Sequence, residues 1–87
     1  IHPQNDGSYL INGTANIREI NRNNTWDLPT DGPKTINGLV LEYLERIADA
    51  GVSVRMGEYV IEVIQTSDNA IKTVRIRHLQ SELEQEE

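Results

Sequence analysis

The chain contains no cysteine and no phenylalanine, and aromatic residues make up only 5% of its 87 positions. Without cysteine there is no disulfide framework, no thiolate metal site and no thiol nucleophile, so stability must come from packing within the domain or against neighbouring domains. No run of about 18 apolar residues occurs, so no membrane-spanning helix is predicted, and no signal peptide opens the chain. The first residue is Ile and not Met, from which a piece of a longer protein is expected. Basic residues are sparse and dispersed, 8 Lys and Arg against 14 Asp and Glu, for a net charge of −6. A chain lacking any basic stripe is ill suited to phosphate backbones or anionic lipid surfaces, which argues against nucleic-acid binding and membrane insertion.

What remains suits one small globular domain, 37% hydrophobic and 25% charged. At this length the core is thin, with well under about 70% of the unfolded chain's surface buried, so a deep catalytic cleft is not expected. Four of the surplus negatives are Glu82, Glu84, Glu86 and Glu87, so residues 1–79 carry only −2. Residues 1–79 are expected to form the domain, and 80–87 a frayed acidic tail.

The clearest periodic signal is Ile36, Leu39, Val40, Tyr43, Leu44 and Ile47, the i, i+3, i+4, i+7 spacing of one helix face. It predicts a helix over 35–48, with Thr35 as its cap and Gly51 taking the left-handed conformation after it. Burying each of Leu39, Leu44 and Ile47 would contribute about 1.5 to 3 kcal/mol, enough to decide folding. Gly38 costs this helix about 1 kcal/mol relative to Ala, which predicts a packing reason such as close approach of another backbone.

Upstream, Asp6-Gly7 reads as a turn, 8–11 as a short strand, and Gly13-Thr14 as the entry to a helix over 15–23 whose apolar anchors are Ile17 and Ile20. Pro29 forces an extended connection, from which Trp26 and Leu28 are expected to plug the core. Downstream, Val52, Val54 and Met56 alternate with Ser53 and Arg55, and Gly57-Glu58 has the Gly-first form of a II′ hairpin turn. The return strand, 59–66, is apolar on both parities apart from Glu62, as a central strand covered on more than one side would be. Ser67-Asp68-Asn69 is turn chemistry, and 72–79 is the last strand, with Val74 and Ile76 on one face. Ile71 lies on the parity of Arg75 and Arg77, so it belongs to the turn or marks a bulge. The fold class is therefore α+β: β-α-α-β-β-β, a mainly antiparallel open sheet with helices packed on one face.

Few residues carry chemistry. His2 and His78 stand at opposite ends with no metal-ligand spacing, no EF-hand loop is present, and the six glycines form neither a dinucleotide nor a Walker pattern. No Gly-x-Ser-x-Gly elbow exists, and no catalytic residue is assigned. Arg55, Arg75 and Arg77 are expected to share the sheet face opposite the helix. There they either pair with Glu62 across strands or offer a cofactor-binding or partner surface for an anion.

The ordered segments Ser8-Tyr9-Leu10-Ile11-Asn12-Gly13, Asn16-Ile17-Arg18-Glu19-Ile20-Asn21, Trp26-Asp27-Leu28-Pro29, Thr35-Ile36-Asn37-Gly38-Leu39-Val40-Leu41, Val54-x-x-Gly57-x-Tyr59-x-x-x-Val63 and Ile71-x-x-Val74 span nearly the whole chain. Together they resemble the CorC/HlyC transporter-associated domain. The resemblance implies a fold akin to half of the FAD-binding/transporter-associated fold. It also implies a cytosolic, non-catalytic domain that modulates ion transport in proteins linked to magnesium and cobalt efflux or labelled hemolysins. Its expected partners are CBS domains, the membrane region of the parent protein and a second copy of itself. FAD, or an adenine nucleotide in a sensor role, is implied through fold kinship only. Three positions depart from the family pattern, Ala48, Val52 and Ala70, and none touches the core pattern.

Overall fold

The structure is a computed structural model and describes residues 2–3, 7–45 and 49–79. Its elements run β1 (His2–Pro3), β2 (Tyr9–Asn12), α1 (Ile17–Asn24), α2 (Ile36–Leu44), β3 (Ser53–Met56), β4 (Tyr59–Ser67) and β5 (Ala70–His78). The strands form one five-stranded sheet in the order β1-β2-β5-β4-β3, every neighbouring pair antiparallel. This is the expected α+β architecture with one addition, the two-residue β1. It carries no periodicity to read, and it places Pro3 on an edge strand, where a missing N–H is tolerated.

Two hairpins centre the sheet on β4 and β5. Gly57 turns β3 into β4 with φ +60°, and Asp68 and Asn69 turn β4 into β5 with φ 53° and 66°. Positive φ at both central residues marks a type I′ turn, whose twist matches the flanking strands. Register then puts Tyr9, Ile76, Ile61 and Val54 in one cross-strand row and Ile11, Val74 and Val63 in the next, on the face that the helices cover. Pairing slips around Gln65, and beyond the slip Thr66 faces Ile71. Ile71 therefore marks a bulge, and it is buried with the others. The opposite parity of β4, Val60 and Ile64, is only half-buried, because both helices lie on the other face; among the described residues the two-sided cover expected of this strand is absent.

Helix α1 begins where the Asn16 side chain accepts from the N–H groups of Arg18 (2.9 Å) and Glu19 (3.3 Å), and it ends at Thr25 in the left-handed conformation. As expected, Ile17 and Ile20 are its buried residues. Helix α2 is capped by Thr35, whose Oγ accepts from the Gly38 N–H at 3.2 Å. It stops at Leu44, shorter than its periodicity predicts. Glu45 adopts φ 57° and its N–H closes on the Leu41 carbonyl, so the helix is capped before the glycine that was expected to end it. Gly51 does have positive φ, 94°, but lies outside the cap. Ile36, Leu39 and Val40 carry the buried face. Leu44 is half-buried, Tyr43 is 56% exposed, and Ile47 and Ala48 lie outside the described residues, as do Asp6 and the tail 80–87.

The close backbone approach belongs to Gly13 and not to Gly38. A Cβ on Gly38 would meet the Pro33 ring at 2.9 Å, whereas one on Gly13 would fall onto the backbone carbonyl of Ile71. Around Gly13 the chain is tied three ways: its N–H donates to the Lys72 carbonyl (2.7 Å), its carbonyl accepts from the Asn37 N–H (2.8 Å), and the Asn37 Oδ1 accepts from the Ile71 N–H (2.7 Å). The end of β2, the first turn of α2 and the start of β5 thus share one knot.

Between the helices, Leu28 is buried and Trp26 half-buried, in the plugging role expected of them. Asn21 fixes this connection: its Oδ1 accepts from the Leu28 N–H (2.9 Å) and its Nδ2 donates to the Leu28 carbonyl (3.0 Å), a side chain standing in for a strand partner. The Tyr59 hydroxyl, below, accepts from the Asp27 N–H at 2.7 Å.

Candidate functional site

The three arginines singled out in the sequence lie on the sheet face away from the helices. Arg75 and Glu62 are opposite one another in the β4–β5 register and form an ion pair at 3.3 Å, each side chain more than a third exposed. A pair so wet contributes at most about 1 kcal/mol. Arg75 and Arg77 line a shallow hollow of about 240 Å3 with Ser53, Val60 and Glu62. Arg55 is not part of that lining. Its Nε donates to the Gly57 carbonyl at 3.2 Å, which draws it toward the hairpin turn. Cross-strand register brings two of the three together, and the third is held elsewhere by its own turn.

A larger concavity, about 800 Å3, lies on the helix side and escaped the sequence reading. Leu39 of α2, Met56 at the end of β3 and Tyr59 at the start of β4 form its floor. One wall is the connection between the helices, where Pro29 and Pro33 hold an extended course; the other is the hairpin turn at Gly57 and Glu58. Asp27, Asp31, Glu42 and Glu58 stand around it, all exposed, and among the described residues no Lys or Arg belongs to the lining. Tyr43 reaches from α2 across this groove's side and donates its hydroxyl hydrogen to the Arg55 carbonyl at 3.1 Å. That bond ties the helix to β3, a strand at the edge of the sheet. Glu58 is partly engaged, its Oε2 3.2 Å from the His78 Nε2. His78 in turn stacks on Tyr59, ring centroids 4.6 Å apart, and Trp26 packs edgewise against Tyr9 and His78. An aromatic cluster therefore supports the hairpin end of the groove from beneath. The lining comes from separated stretches of chain, which is why no local motif announces it. Chemically, it joins an apolar floor to a negative rim. Among the described residues, no three His, Asp or Glu side chains are grouped to hold a metal ion.

The sequence and the fold match a known set of proteins. The family model described as "Transporter associated domain", CorC_HlyC, covers residues 2–80. The chain belongs to this family. The transporter-associated domain described here is 53% identical over 76 residues to the UPF0053 inner membrane protein YfjD of Escherichia coli K12, a match covering 87% of this chain and 18% of that protein. The chain thus spans less than a fifth of the length of this curated relative. Among solved structures, a functionally unknown conserved protein from Haemophilus influenzae Rd KW20 superposes with a TM-score of 0.83 at 39% identity, covering 87% of this chain and 94% of that one. The transporter-associated domain of a Xylella fastidiosa Temecula1 hemolysin, solved in complex with Mg2+ and Mn2+, gives a TM-score of 0.78 at 25% identity, covering 88% of this chain and 94% of the other. No described helix of the present domain is long and apolar enough to cross a membrane.

Proposed function

We propose that the transporter-associated domain is a non-catalytic regulatory and interaction module on the cytoplasmic side of a membrane-bound divalent-cation exporter or hemolysin-like protein of the magnesium/cobalt type. It acts by docking against CBS domains, the membrane region or a second copy of itself. The observation that carries this reading is the 53% identity to part of an inner membrane protein. The Mg2+ and Mn2+ complex of the Xylella domain supports a setting in which such ions are handled. Residues 1–79 constitute the module in this reading and 80–87 its tail. Among the described residues β1 and β3 stand at the edges of the sheet, a placement that suits docking. Deleting the module from the full-length protein is expected to change Mg2+ and Co2+ efflux from cells while the protein still reaches the membrane. Unchanged efflux together with unchanged assembly overturns the reading.

A second reading, a sensor of FAD or an adenine nucleotide, draws on one observation: the Nε of Arg75 is buried without an acceptor beside the hollow that Arg75 and Arg77 line. In that reading those two arginines take the phosphates and Arg55 contributes from β3. Titration with FAD and with ATP is then expected to give a saturable fluorescence or heat signal that Arg75→Gln abolishes. A flat titration at millimolar ligand ends it.

A further inference from the structure

The groove under α2 combines two features that seldom meet on a domain surface. Its floor is apolar, built by Leu39, Met56 and Tyr59, and its rim carries four exposed carboxylates from separate segments with no cation among the described lining residues. Like charges gathered around an apolar trough repel one another and leave apolar surface wet. A partner that brings positive charge on its flanks and an apolar group at its centre relieves both costs at once. The groove's size, about 800 Å3, accommodates several side chains. A negative rim repels phosphates and nucleic acids, and the described carboxylates are not gathered into a metal cluster.

We propose that this groove docks a basic, amphipathic peptide segment of the parent membrane protein, whose Lys and Arg side chains meet Asp31 and Glu42 while an apolar side chain enters between Leu39 and Met56. The inference rests on the reading that the domain is part of a membrane protein. In such proteins the segments flanking membrane spans on the cytoplasmic side carry an excess of Lys and Arg, the chemistry that this rim complements. The chain spans 18% of its inner-membrane relative, so most of such a protein lies outside this domain and is available to supply the segment. Exposed Tyr43 at the groove's side offers the flat amphipathic surface common at recognition sites.

The first test uses the 87-residue chain and three labelled synthetic peptides, followed by fluorescence anisotropy at low and high salt. One peptide alternates Arg with Leu, one replaces Leu by Gly, and one replaces Arg by Glu. The Arg/Leu peptide is expected to bind and to weaken with salt, the Glu peptide not to bind, and the Gly peptide to bind about tenfold more weakly. The double variant Asp31→Asn/Glu42→Gln should weaken the Arg/Leu peptide about tenfold, whereas Asp68→Asn, an exposed carboxylate outside the groove's lining, leaves it unchanged. Equal binding by the Arg/Leu and Gly peptides, no binding by either, or indifference to the double variant overturns the groove assignment. The second test places a photo-crosslinking amino acid at Tyr43 in the full-length protein in its membrane. Cross-linking to a Lys/Arg-rich segment of the same chain next to a membrane span is expected. Cross-links only to a second copy of the domain or to another protein, or none, overturn the choice of partner. Peptide binding is independent of ion efflux, so a module whose deletion leaves transport unchanged could still bind the peptide, and the two failures are distinguishable.

Discussion

Gly13→Ala should lower the stability of the domain by about 2–4 kcal/mol, read as a fall in the thermal or urea midpoint. The added methyl would coincide with the Ile71 carbonyl, a backbone group that no rotamer change can move aside. Relief would need β5 to shift away from β2. That movement would lengthen the Gly13–Lys72 hydrogen bond and strain those that Asn37 makes to Gly13 and Ile71. Gly32→Ala is the matched control: its new methyl would meet nothing nearer than the Glu42 carboxylate at 3.6 Å, so a change within about 0.5 kcal/mol is expected. Equal losses at the two positions would show that the close approach does not set the cost at Gly13.

The second large effect belongs to the buried first turn of α2. Ile36 is 0% exposed, and trimming it to Ala should cost about 2–5 kcal/mol through lost burial and the cavity left behind. Against a total of about 5–15 kcal/mol for an ordinary domain, that is enough to unfold a substantial fraction of molecules at physiological temperature. Tyr43 lies on the same helix and in the same periodic stripe, yet it is 56% exposed. Tyr43→Ala is expected to cost no more than about 1.5 kcal/mol, the worth of one exposed hydrogen bond to Arg55 and some lost contact. Denaturation midpoints of the two variants measure the contrast directly. A Tyr43 loss as large as that at Ile36 would mean that the helix's outer flank, and not its first turn, anchors it to the sheet.

That contrast shows where the residue pattern informs and where it stops. Periodicity identified α2 and its buried Ile36, Leu39 and Val40, because a helix face repeats on a fixed angle whatever surrounds it. Its end was not legible, since a left-handed Glu45 has no compositional signature. Both hairpins were readable from Gly57 and from Asp68-Asn69, since positive φ restricts residue choice so strongly. With the hairpins came the register that sets Arg75 opposite Glu62. β1 is too short to show alternation. The clamp at Asn21 was invisible because an Asn in a helix reads as surface until the chain folds back over it. The groove was hidden for a broader reason: helix, loop and hairpin each supply a few unremarkable residues, and only their convergence makes a recessed apolar floor with an acidic rim.

The slipped pairing near Gln65 bears on how the hairpin takes a change of length. Between the pairs Val63–Val74 and Thr66–Ile71 each strand advances three residues, one more than regular alternation needs, and the two surpluses cancel in the register of the turn. Loss of one residue from either strand here would leave a single bulge with the buried Ile71 and Val74 still on one face, and a matched loss from both would restore an ordinary ladder. The far end of this hairpin should therefore tolerate trimming by a residue without turning its core outward.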